Sequence, residues 1–289
     1  MGNIATTVEQ QIALLESRGM AFDCELEKVK ETLLDIGYYR LGFYSYYFQD
    51  KKTHNFTTNV NFNDVIKLYY FDFDLKMLLL RYIYRIEVHF RTQLLYNASN
   101  YYSDNNTWYV DSKIVDSKIF KEFNNIYFNL KTKNKNLVKH HVKHPCDYAP
   151  AWKVFEFLTF GQTFKFFSNL KNEELKKQIS AVYGFRDVTL LNNYFISIIN
   201  IRNICSHNGV LFDYNQPIGI KRIPNLKYRI NTGNTSNLNA SLRLVLFILS
   251  KVSKNRATDL ELELKSLMST TSENDIVKNI INSKIKFDL

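Results

Sequence analysis

The chain has 289 residues, 45% of them hydrophobic, enough to bury a substantial core in one large domain or two modest ones. Gly (9) and Pro (4) are scarce, which argues against a hairpin-rich all-β fold and for long helices. The net charge of +10 points to a polyanionic partner, nucleic acid above all.

Cys24, Cys146 and Cys205 form no C-x-x-C pair, so neither a disulfide framework nor a thiolate zinc site is expected, and the reducing cytoplasm is the expected compartment. The start, MGNIATTVEQQ, has no basic and apolar leader pattern. Charged residues interrupt every long apolar stretch, so no membrane span is expected. The 19 Tyr and 22 Phe suit either a core or nucleobase stacking, and their number does not choose.

In chain order, residues 7–18 read as a helix capped by Thr7, with Gln10 completing a capping box and Gly19 placed to stop it. Residues 24–36 form a second amphipathic helix, with Gly37 just past its end. The aromatic segment YYRLGFYSYYF (38–48) surrounds Arg40; Tyr38, Tyr39 and Tyr44 are expected in the core, with base stacking as the alternative. Residues 62–98, opened by Asn61 or Asn63, are apolar nearly all round, the mark of a buried helix. Its second half nevertheless carries Arg81, Arg85, Glu87, His89 and Arg91. Glu87 and Arg91 are spaced i,i+4 on one face, and such charges are tolerable there only if paired and hydrogen-bonded.

A polar break covers 100–112, and 113–130 is amphipathic again. Residues 131–144 (KTKNKNLVKHHVKH) contain five Lys and three His without an acid. Lys131, Lys133, Lys135, Lys139 and Lys143 are expected to form a solvated basic loop that contacts RNA phosphates, with Arg40 as a further RNA-binding candidate. His140, His141 and His144 have only Cys146 and Asp147 to complete a metal site, and the lysines around them disfavour a cation; no metal or other cofactor is expected. Pro145 and Pro150 bracket a turn. Helices are expected at 151–170, at 172–183 before Gly184, and at 187–207 before Asn208 and Gly209. Loop chemistry fills 213–235, an apolar helix 236–252, and a loosely packed terminal helix pair 255–289.

The 187–207 helix ends in R-N-I-C-S-H, Arg202 to His207. Asn203 and His207 share a face, whereas Arg202 and His207 lie about 140° apart around the axis, so they cannot pair locally but can flank a groove. The residue types suit RNA cleavage. Histidine takes or gives a proton near neutral pH, arginine is a permanently charged fork for phosphate, and the RNA 2′-hydroxyl supplies the nucleophile. Asn203 can orient His207 or contact the phosphate.

Four blocks carry a resemblance: TVEQQIALLESRGM (7–20), LLDIGYYRLGFYSYYF (33–48), LLLRYIYRIEVHFRTQLLY (78–96) and RNICSHNGVLF (202–212). Together they resemble the Abi-like abortive-infection family of AbiD/AbiF type over roughly residues 7–225, and R-N-I-C-S-H resembles the R-x4-6-H motif of HEPN ribonucleases. The resemblance implies an all-α, HEPN-like helical bundle. A single domain over residues 1–289 would have its core at about 61–252, an N-terminal helical segment (1–60) and a C-terminal helical extension (253–289). It also implies phage defence through a metal-independent endoribonuclease and a homodimer cleft to which each chain brings Arg202, Asn203 and His207. Glu87 and Arg91 match an I-E-x-x-x-R pattern of the family and are candidate accessory residues. A small regulatory RNA or an antitoxin-like protein is a candidate controlling partner. After His207 many members carry a second His and a basic residue, where this chain has Asn208 and Gly209. The competing reading is a non-catalytic RNA-binding regulator of a defence system.

Overall fold

The computed structural model describes residues 4–207, 209–270 and 275–286. Its helices are Val8–Ser17 (α1), Leu26–Asp35 (α2), Tyr38–Ser45 (α3), Phe62–Tyr101 (α4), Phe120–Lys133 (α5), Lys135–Lys143 (α6), Ala151–Val154 (α7), Phe160–Ser168 (α8), Glu173–Val182 (α9), Val188–Ser206 (α10), Leu238–Val252 (α11), Lys254–Thr270 (α12) and Asp275–Ile285 (α13). Short 3₁₀ turns follow α3 and α7 and precede α5. Among the described residues only isolated β-bridges occur, so the fold is all-α as expected.

Local signals place most ends. Thr7 and Gln10 form the anticipated capping box of α1, and the backbone turns at Gly19 and Gly37 with φ of 86° and 94°, where a side chain would be strained. Asn61 is the N-cap of α4, and the Asp64 carboxylate accepts its N–H at 2.9 Å. At 40 residues α4 is about 60 Å long and forms the axis of the molecule. α3, α8, α9, α10, α11, α12 and α13 all pack on it.

The aromatic excess is largely core. Phe90, at the middle of α4, has the rings of Phe160, Phe164, Phe167, Phe195 and Tyr183 within 6.5 Å of its own. Tyr44 is fully buried, as the core reading requires, while Tyr39 stays exposed. One contiguous buried apolar cluster runs from Ile12 in α1 to Ile285 in α13.

Three expectations are corrected. The 131–144 run is not a loop: α5 extends through Lys133, Asn134 caps α6 by accepting from the N–H of Asn136 and Leu137, and the two helices pack together. The helix expected over 151–170 is broken at Leu158 and Thr159, where a Thr159–Gln162 capping box starts α8 afresh. The terminal helices are not loosely packed, since Ala257, Leu260, Leu264, Val277, Ile281 and Ile285 are all buried against α4 and α11. Apolar side chains spaced by three and four among polar neighbours are enough to seal one face, which the polar composition of the segment concealed. The 100–112 break likewise hides the buried Trp108 and Tyr109.

Two measurements check this packing. Leu264→Ala should cost about 2–5 kcal/mol in urea unfolding, whereas a loosely attached α12 would lose a few tenths. His89 lies half-buried with Nδ1 2.9 Å from the Tyr183 hydroxyl, and burial first, then the Arg85 charge, holds its pKa below the usual 6.5. Its contribution to stability is therefore complete above pH 6.5 and lost as pH falls through that value and then through the lower folded value. Wild-type Tm should fall below that of His89→Gln as the buffer is taken from pH 8 to pH about 5; parallel Tm curves would refute the assignment.

Candidate functional site

The carboxyl end of α10 runs antiparallel to α4, and the two helices meet through charged groups. Glu87 of α4 is only 6% exposed. Its Oε1 accepts a 3.0 Å hydrogen bond from the Arg91 guanidinium, and its Oε2 lies 3.7 Å from Nε of Arg202. Arg91 also donates to the Leu158 carbonyl at 3.1 Å, which ties the break between α7 and α8 to the cluster, and the exposed Glu156 approaches it at 3.9 Å. Two guanidinium groups thus share one buried carboxylate, with Glu156 as a second acid at Arg91, and the Arg202 guanidinium stands at the end of α10.

Arg202 is fixed from two sides. Glu87 faces its Nε, and Ser206 Oγ accepts from NH1 at 3.3 Å while donating to the Arg202 carbonyl at 2.9 Å. Its side chain keeps 27% exposure, so the fork is held in place and still reachable from solvent. Glu87 and Arg91, expected as accessory residues, are therefore brought to Arg202. Ser206 was missed, although its i,i+4 spacing from Arg202 is visible in the sequence.

The helix expected to run through His207 ends one residue earlier, at Ser206. His207 is the C-cap of α10, with φ −112° and ψ 27°, and its N–H still bonds the Asn203 carbonyl at 2.9 Å. The angle projected around the helix axis applies only through Ser206 and does not fix the side-chain direction of His207. The imidazole is exposed and has no hydrogen-bond partner among the described residues. Asn203 is also exposed, and among the described residues no side-chain hydrogen bond joins it to His207. Cys205, between them, faces the core; burial, then the Asp72 charge, pushes its thiol up to about 12, so it is not a nucleophile.

Asn208 lies outside the described residues. Gly209 has a steric reason to be glycine: an added Cβ would stand 2.8 Å from Cγ2 of Ile204. Its N–H bonds the Ile204 carbonyl at 3.1 Å, folding the chain back over the end of α10.

The lysines sit elsewhere, on the α5–α6 hairpin. Lys133, Lys135, Lys139 and Lys143 are exposed, but Lys131 is engaged with the carbonyls of Cys146 and Asp147 at 3.3 and 3.2 Å. His140 and His141 lie 3.8 and 3.7 Å from the Cys146 sulfur, and the Lys153 ammonium sits 3.0 Å from Nδ1 of His140. Arg40 is half-buried and donates to the Tyr44 hydroxyl at 3.0 Å, an internal role the sequence did not suggest. Among the described residues no helix is long and apolar enough to cross a membrane.

No curated protein and no solved structure matches the chain. The family described as Abi-like protein matches over residues 31–213, more than half of the chain. The match takes in α3, the whole of α4 and the α10 motif, including Glu87, Arg91, Arg202 and His207. With that span and these elements, the chain belongs to the Abi-like family of abortive-infection proteins.

Proposed function

We propose that the chain is a metal-independent endoribonuclease of HEPN type that acts in bacterial abortive-infection defence against phage. The observation that carries this reading is the Arg202 guanidinium, held by Glu87 and Ser206 at the end of α10, in the same motif as the exposed imidazole of His207. A phosphodiester seated on Arg202 finds a fixed, permanently charged donor fork, and charge growing on its oxygens during reaction is stabilised there. The RNA 2′-oxygen attacks phosphorus, its proton goes to a base, and the 5′-oxygen leaves with a proton from an acid. The products carry a 2′,3′-cyclic phosphate and a 5′-hydroxyl.

One imidazole cannot hold and lack the proton at the same moment. In this reading two copies of the chain face each other, and the two His207 side chains serve as base and acid. Glu87 and Arg91 are positioning residues that hold Arg202 without touching the RNA. Control by an RNA or protein partner would act on the pairing of the two copies.

Purified protein should cleave single-stranded RNA in EDTA and leave those two end groups. Arg202→Ala and His207→Ala should each lower the rate by about 10²-fold or more. Cleavage by His207→Ala at the wild-type rate would sink the proposal. Glu87→Gln, which removes the carboxylate charge facing Arg202 but keeps the shape, should lower kcat by about tenfold through looser guanidinium placement.

The second reading, a non-catalytic RNA-binding regulator, is favoured by the exposed Lys133, Lys135, Lys139 and Lys143 on one helical hairpin. It predicts tight, salt-sensitive RNA binding without turnover. Lys133→Glu combined with Lys135→Glu should then weaken fluorescence-anisotropy binding and flatten its dependence on salt by about one unit of log–log slope per lost phosphate contact. Unchanged binding would count against this surface.

A further inference from the structure

The chain immediately after His207 is held by a buried polar network that the function proposed above does not use. Asp72 of α4 has no exposed surface, and Lys76, one turn on, is 1% exposed. Oδ1 of Asp72 accepts the backbone N–H of Leu211 at 2.9 Å and of Phe212 at 2.7 Å. Oδ2 accepts the Tyr44 hydroxyl at 2.7 Å and lies 3.0 Å from the Lys76 ammonium. Lys76 in turn donates to the Gly209 carbonyl at 3.3 Å. Burial, then the Asp72 charge, pushes the Tyr44 phenol upward, so it remains a protonated donor, and Arg40 donates to its oxygen. The Phe212 ring stacks on Tyr44, and Asp213 is held by the Tyr47 hydroxyl at 2.8 Å and Lys284 of α13 at 2.9 Å.

Such an arrangement is expensive to build. A carboxylate and an ammonium without solvent are tolerated only when their hydrogen-bonding positions are filled. Plain packing of 209–213 on α4 needs no charge at all. What the network adds is direction: three backbone groups within four residues are fixed to one face of α4, starting two residues after His207. His207 is a C-cap outside the helix, so its backbone is placed by the end of α10 on one side and by the clamped segment that begins at Gly209 on the other.

We infer that Asp72, Lys76 and Tyr44 are positioning residues for His207, clamping residues 209–212 so that the imidazole stands in one place beside Arg202. The N-terminal helix α3 becomes part of the support of the site, because Tyr44 reaches Asp72 from it. The catalytic consequence rests on the nuclease reading; the placement of the imidazole does not.

The test compares Tyr44→Phe and Asp72→Asn with Tyr109→Phe. Tyr109 is an equally buried phenol on the far side of the fold, hydrogen-bonded to the Ala149 carbonyl at 2.6 Å. Two readouts are taken on each folded variant: the His207 Cε1–H resonance by NMR, assigned with His207→Gln, and the kcat and KM for RNA cleavage. A positioning role shifts or broadens the His207 resonance in Tyr44→Phe and more so in Asp72→Asn, and leaves it unmoved in Tyr109→Phe. It also lowers kcat by about ten- to a hundredfold at unchanged KM, with the control near wild type. Equal behaviour of Tyr44→Phe and Tyr109→Phe in the resonance overturns the inference, even if Asp72→Asn fails to fold. If wild type cleaves no RNA, the nuclease reading fails by itself, and the resonance still decides the positioning role.

Discussion

Asp72 is the constraint on which the arrangement of this protein turns. A carboxylate with no solvent must find its partners inside the fold, and it finds them on three separate segments: the hydroxyl of Tyr44 in α3, the ammonium of Lys76 in α4, and the backbone N–H groups of Leu211 and Phe212. Lys76 stands one turn away on α4 itself, but the other two reach Asp72 only when α3 and the chain after α10 have come together on α4. The network therefore accepts one assembly of the bundle and penalises others, because any misplacement strands a buried charge.

α4 applies the same principle twice. Near its start Asp72 and Lys76 hold the segment beyond the motif; a few turns later Glu87 and Arg91 hold Arg202 within it. Both pairs are spaced i,i+4, so each is pre-formed on the helix before α10 packs against it. Apolar packing of Phe90 on Phe195 also joins the two helices, but apolar contact alone tolerates sliding. The two charged pairs fix the register of α10 on α4, and with it the position of the R-N-I-C-S-H segment. Membership of the Abi-like family places this segment in an abortive-infection protein.

Much of the architecture was legible in the chain itself. Thr7 with Gln10, Gly19, Gly37 and the long apolar run after Asn61 mark helix ends by local chemistry, and they stand where the structure has them. The accessory pair Glu87 and Arg91 was visible for the same reason, since a charge pair four residues apart on an apolar helix demands an explanation. Asp72 and Lys76 carry the same i,i+4 signal on the same helix, but nothing local tells that Tyr44, Gly209, Leu211 and Phe212 fill their remaining hydrogen-bonding positions. The 131–144 run misled: its charge suggested a loop, yet lysine favours a helix, and Asn134 restarts the chain as α6.

Local chemistry in the chain is enough for the all-α class, most helix boundaries, the family and the candidate motif, because these depend on periodicity, caps and residue type within a few turns of chain. It takes the packing of distant segments to bring Glu87 to Arg202, to draw Lys131 into internal hydrogen bonds, to seal the core with the terminal helices and to hold residues 209–212 on α4. These contacts join separate elements of the chain, 140 residues apart for Asp72 and Phe212. Whether a charge is solvated or satisfied within the protein depends on which distant group arrives beside it, and no local pattern carries that information.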